Sequence, residues 1–109
     1  MEPKPPDIAE FRASGHHTID LLADLLESVE EKPLFPAVEP KFLRELFDEP
    51  MPEGPTPLAE VVKTLEEKLL PYCTHVNHPG YFGLITRSPA PAGILGDLIA
   101  AGLNQNIGA

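Results

Sequence analysis

Apolar residues return at steps of three and four from Ile8 onward, and Ile8, Phe11, Gly15, Ile19, Leu22, Leu26 and Val29 fall on one stripe. The spacing predicts a helix from Asp7 to about Glu31, with Asp7 as its N-cap and Pro33 as its stop. The outward face carries Asp20, Asp24, Glu27, Glu30 and Glu31, most of them toward the C-terminal half. The helix dipole disfavours each carboxylate there by roughly 0.3 kcal/mol, so the stripe must hold by packing. Seven prolines between residues 33 and 57 then leave room for one short helix, about Lys41 to Phe47, inside an extended strap. Thr56-Pro57 reads as a cap followed by proline at the first helical position. Leu58, Val61, Val62, Leu65 and Leu69 form the stripe of a second long helix ending at Pro71. An irregular stretch, Tyr72 to Pro79, leads into a short apolar run, Tyr81-Phe82-Gly83-Leu84-Ile85, that fits a strand or an extended loop. A final helix starts near Pro89 or Pro91 and runs through Ile94, Leu95, Leu98, Ile99 and Leu103. The fold class is mainly α.

Charge changes this picture at residue 70. Sixteen acidic and seven basic residues precede it, whereas the last 39 residues of the 109 hold only Asp97 and Arg87. So apolar a segment would expose a large patch to water unless something covered it. The acidic first part offers limited cover, so a second copy of the chain or further polypeptide is the expected partner. Gly93, Gly96 and Gly102 lie within the final helix, where each costs about 1 kcal/mol relative to alanine. That cost is tolerable where another backbone packs closely, which points to a helix interface. The sequence closes on Asn104-Gln105-Asn106-Ile107-Gly108-Ala109 without a charged tail, and is read as the N-terminal piece of something longer.

A net charge of −9 excludes a nucleic-acid backbone or an anionic membrane surface as the expected partner, since both reward clustered Lys and Arg. No run reaches the roughly 18 apolar residues of a spanning helix. The single Cys73 cannot form an internal disulfide, and the first residues lack the apolar core of a secretory signal, so the expected compartment is the cytoplasm. Cys73, His75 and His78 are zinc-ligand types within six residues, but a closed site needs a fourth ligand that no second cluster supplies, so the expectation is a loop whose His side chains hydrogen-bond locally. His16 and His17 are adjacent on a helix and point to different faces. Ser14, Ser28 and Ser88 lack a nucleophile elbow, and no glycine pattern matches a phosphate-binding loop. The reading is therefore of a chain with no metal and no catalytic residue of its own.

Three blocks carry a family resemblance. Phe11-Arg12-Ala13-Ser14-Gly15-His16-His17-Thr18-Ile19-Asp20, then Thr74-His75-Val76-Asn77-His78-Pro79-Gly80-Tyr81-Phe82-Gly83-Leu84-Ile85, then the run from Ser88 to Gly108, resemble the N-terminal region of the group II pyridoxal-phosphate-dependent decarboxylases. That family includes the aromatic-L-amino-acid, glutamate, histidine and tyrosine decarboxylases. The resemblance covers residues 11–109 in the family's order. It implies a fold-type I enzyme in which residues 1–109 are an N-terminal helical dimerisation domain. The cofactor-binding α/β domain and the C-terminal domain lie beyond this chain. It also implies an intertwined homodimer, a requirement for the remainder of the enzyme, and an amino-acid substrate that loses its carboxylate. The cofactor implied is pyridoxal phosphate, held in such enzymes by a lysine far downstream. Lys4, Lys32, Lys41, Lys63 and Lys68 do not stand in that context, so this chain is expected to bind no cofactor and to be inert alone.

Position by position, Phe82, Leu84, Ile85 and Thr86 resemble the segment that lines the substrate side-chain pocket. Asn106 and Ile107 resemble the stretch that a partner subunit contributes near it. Leu84 and Ile85 stand where aromatic-specific relatives show Tyr and Phe, and where glutamate-specific ones show a polar amide before Leu. Thr86-Arg87 replaces a Pro-Thr pair of the aromatic type, so the substrate is left open. Arg87 is placed either to pair with an acidic substrate or as a surface arginine. A rival reading from another class is a stand-alone helical dimerisation module without activity.

Overall fold

A computed structural model describes residues 7–83, 88–105 and 108. Helix α1 spans Ile8–Ser28 and tightens into a 3₁₀ turn at Val29–Glu31. Asp7 caps it as expected: the backbone is extended there and Oδ1 accepts the Glu10 N–H at 3.1 Å. The proline strap holds α2, Pro40–Leu46, where proline occupies the first turn and its missing N–H costs nothing. Helix α3 spans Leu58–Thr64 and continues through a π turn, Leu65–Leu69, into a 3₁₀ turn, Leu70–Tyr72. Helix α4 spans Pro91–Leu103 and ends at Asn104, whose φ of 47° and N–H bond to the Ala100 carbonyl make a left-handed cap. The chain is helical, with no strand among the described residues, and Tyr81–Gly83 follows no regular structure.

Two details of the second helix differ from the sequence expectation. Pro57, not Thr56, takes the cap position, and the helix begins at Leu58. The acceptor comes from another helix: Glu10 Oε1 takes the Leu58 N–H at 2.6 Å. Proline fits the extended cap as well as the first turn because φ is fixed near −65° in both. Nor does Pro71 end the helix cleanly. A proline ring inside a helix strikes the carbonyl four residues earlier, here that of Glu67. The turn before it widens, with the Leu70 N–H reaching back to the Leu65 carbonyl, and the chain runs on past the proline to Tyr72.

Helices α1 and α3 run in the same direction, since Glu10 meets Leu58 near both starts and His17 Nε2 meets Glu66 Oε2 at 3.3 Å further along. The strap must therefore cross back over their length. It is tied to the second helix by the Phe42 and Tyr72 rings, edge to face at 5.3 Å, and by Lys68 Nζ donating to the Leu46 carbonyl at 3.4 Å. The packed face of α1 is not centred on its apolar stripe. Ser14, off the stripe, is buried, as is Val29 at the stripe's far end, whereas Ile8 and Phe11 are 62% and 60% exposed. At 100° per residue the line through Glu10, Ser14 and Thr18 lies roughly a quarter-turn from the one through Ile8 and Phe11. The Thr18 hydroxyl bonds the Ser14 carbonyl at 2.8 Å, which lets these small polar residues sit inside.

Helix α4 keeps most of its apolar side chains exposed. Leu95, Leu98, Ile99 and Leu103 of α4 are between 52% and 63% exposed. A Cβ added at Gly93, Gly96 or Gly102 would meet nothing within 4 Å, so no described part of this chain supplies the close-packed backbone expected there. The radius of gyration is 16.9 Å, against about 13 Å for a compact chain of this length.

Candidate functional site

The stretch from Cys73 to Gly83 joins the end of the second helix to the apolar run, and its shape comes from short-range bonds. Cys73 donates its thiol to the Leu69 carbonyl at 3.2 Å, completing the last helical turn. The His75 N–H donates to the Leu34 carbonyl of the strap at 3.2 Å, and the imidazole is buried. The His78 N–H donates to the His75 carbonyl at 3.1 Å. In turn His78 Nδ1 accepts the Gly80 N–H at 2.9 Å and its carbonyl accepts the Tyr81 N–H at 3.0 Å. Among the described residues no three His, Cys, Asp or Glu side chains come close enough to hold a metal ion, and Cys73 and His78 are turned to these local partners instead.

Burial pushes the pKa of His75 below its ordinary value of 6.5, and the nearby charges of Lys32 and His78 push the same way. The neutral ring is the form that the fold accommodates. The stability it contributes is therefore fully present above about pH 6.5 and is lost as pH falls from there toward the lower folded value. Thermal unfolding is expected to show it: between pH 7.5 and 5.5 the wild-type midpoint should drop further than that of a His75→Asn variant. Parallel pH dependence in the two proteins would contradict this.

Of the expected pocket residues, Phe82 is described and its side chain is 93% exposed at the end of this loop. Leu84, Ile85, Thr86, Asn106 and Ile107 lie outside the described residues, as does Arg87. The sequence expectation of a loop whose histidines hydrogen-bond locally holds for His78, whose Nδ1 takes the Gly80 N–H. Their spacing was visible, but only the carbonyl of Leu34 in the strap shows what the loop rests on.

A Schiff-base lysine needs a desolvated, uncharged amine, and Lys41, Lys63 and Lys68 do not fit that role. Lys41 and Lys63 are 76% and 68% exposed in surface pairs with Glu45 and Glu67, and Lys68 donates to a backbone carbonyl. The open depression beside α2 is bordered by Lys41, Arg44, Glu45, Phe47 and Asp48, and its two carboxylates would repel a phosphate. No step of cofactor chemistry can be assigned to these residues.

The described residues thus combine a helical segment with exposed apolar faces and a loop pinned by His78. No family model matches the chain. It is 35% identical over 101 residues to tyrosine decarboxylase 2 of Narcissus pseudonarcissus, covering 93% of this chain and 20% of that protein. It is 37% identical over 98 residues to phenylacetaldehyde synthase of Petunia hybrida, covering 90% and 19%. It superposes on the crystal structure of Oryza sativa TDC with PLP and tryptamine with a TM-score of 0.80 at 29% identity, over 94% of this chain and 22% of that one. In sequence and in fold the chain is similar to the N-terminal segment of plant aromatic amino-acid decarboxylases. It spans about a fifth of the length of the relatives it matches.

Proposed function

We propose that residues 1–109 are the N-terminal dimerisation segment of a cytoplasmic carboxy-lyase that removes the α-carboxylate of an L-amino acid. In this reading pyridoxal phosphate is held by polypeptide beyond this chain, where it serves as the electron sink for the bond that breaks. The segment supplies subunit contact and one edge of the substrate pocket, through Phe82, Leu84, Ile85 and Thr86 in one subunit and Asn106 and Ile107 from its partner. The observation that carries the reading is the bare apolar face of α4, joined to the match in fold with relatives about five times longer. Water does not favour so much exposed leucine and isoleucine, whereas a subunit interface does. The names of the relatives, a tyrosine decarboxylase and a TDC bound to tryptamine, make aromatic amino acids the first substrates to try.

The test compares the isolated chain with the continuous polypeptide that carries it. The longer protein, loaded with pyridoxal phosphate, is expected to release carbon dioxide from at least one L-amino acid. Residues 1–109 alone are expected to retain no cofactor absorbance after gel filtration and to self-associate at micromolar concentration. A compact monomer in sedimentation would overturn the interface. A longer protein that dimerises without releasing carbon dioxide from any amino acid would leave a helical dimerisation module in place of the enzyme.

A further inference from the structure

We propose that His78 is a positioning residue, which aims the start of the pocket segment by offering an unprotonated ring nitrogen to the Gly80 amide. The inference rests on the reading of Phe82 as a pocket residue and goes beyond it by naming what directs that side chain. Phe82 is almost wholly exposed, so contacts of its own ring do not orient it. Its direction comes from the backbone before it. There the bonds form an unbroken ladder from the strap: Leu34 carbonyl to His75 N–H, His75 carbonyl to His78 N–H, then His78 carbonyl to Tyr81 N–H. His78 Nδ1 closes the ladder on the Gly80 N–H at 2.9 Å.

The residue types suit the task. Pro79 has no N–H to compete for the ring nitrogen, and its fixed φ limits the turn. A Cβ at residue 80 would stand 3.2 Å from His78 Nδ1 and 3.9 Å from Leu34 Cδ2, so glycine lets ring, backbone and strap close on one another. Since Nδ1 accepts, the ring proton resides on Nε2, and a side chain without an acceptor at that point cannot replace it. Asparagine can, because its Oδ1 lies the same number of bonds from the backbone and bonds the amide two residues on in the same way.

The experiment uses the full-length protein with His78→Ala, His78→Phe and His78→Asn, reading amide hydrogen exchange at Gly80 and Tyr81 together with KM and kcat. His78→Ala and His78→Phe are expected to speed exchange at Gly80 about fivefold and to raise KM about threefold to fivefold with kcat within about twofold, the scale of one lost hydrogen bond. His78→Asn is expected to restore both. Wild-type exchange in the alanine variant would overturn the anchor, as would a phenylalanine variant that restores function as well as asparagine. Altered exchange with unchanged KM would overturn the link to the substrate. A full-length protein that decarboxylates no amino acid removes the enzymatic reading instead, and the exchange data separate the two failures.

Discussion

Replacing Leu98 by glutamate is expected to leave α4 helical and to abolish association of the chain with its copy. Leu98 lies mid-helix and is 53% exposed, beside Leu95 at 52% and Ile99 at 63%. Glutamate has good helix propensity, and the variant loses no contact within the chain large enough to unfold it. In a symmetric dimer the substitution appears twice, and each buried, unpaired carboxylate costs several kcal/mol. The dissociation constant should rise by at least about a hundredfold, which sedimentation or light scattering across a dilution series reads directly. Dimers of wild-type affinity in the Leu98→Glu protein would show that α4 is not the contact. In the full-length enzyme the same change should lower activity through lost assembly, in proportion to the dimer remaining.

The second large effect lies inside the chain. Val62→Asp should separate α3 from α1. Val62 is one of the few buried apolar residues, on the helix that Glu10 and His17 tie to α1. An aspartate there puts a charge at a buried position, at a cost of about 3–5 kcal/mol. So small a core cannot absorb this, and circular dichroism of the variant should show loss of much of the helix signal at temperatures where the wild type is folded. Val62→Asn, similar in size but uncharged, should lose roughly half as much. Equal melting of Val62→Asp and the wild type would mean that the two helices are not held by this contact.

Much of this was legible along the chain. Asp7 as a cap, the short helix in the strap, a helix starting close to Leu58 and one running from Pro91 to Leu103 all follow from local rules of spacing and capping. Those rules are short-range, and they failed where a distant group intervened. The expected Thr56 cap is displaced because the acceptor for Leu58 is a carboxylate 48 residues earlier. The π turn before Pro71 relieves a clash that the periodic pattern does not register. Of the predicted stripe, Ile8 and Phe11 face outward while Leu22 and Leu26 are half-buried and Val29 is buried, since an apolar stripe states that a face wants cover without stating which neighbour provides it. The candidate site was least legible. Phe82 is placed by a histidine loop whose support, the Leu34 carbonyl, belongs to another part of the chain.

By itself the sequence determined that this protein is mainly helical, acidic in its first two-thirds and nearly uncharged thereafter, because residue spacing and charge are properties of the chain alone. Tertiary structure alone decided that α1 and α3 lie parallel, that His75 is buried and its N–H bonds the strap, and that Leu95, Leu98, Ile99 and Leu103 of α4 stay exposed. Those outcomes depend on which surfaces meet, and contact between residues far apart in sequence leaves no mark in local periodicity.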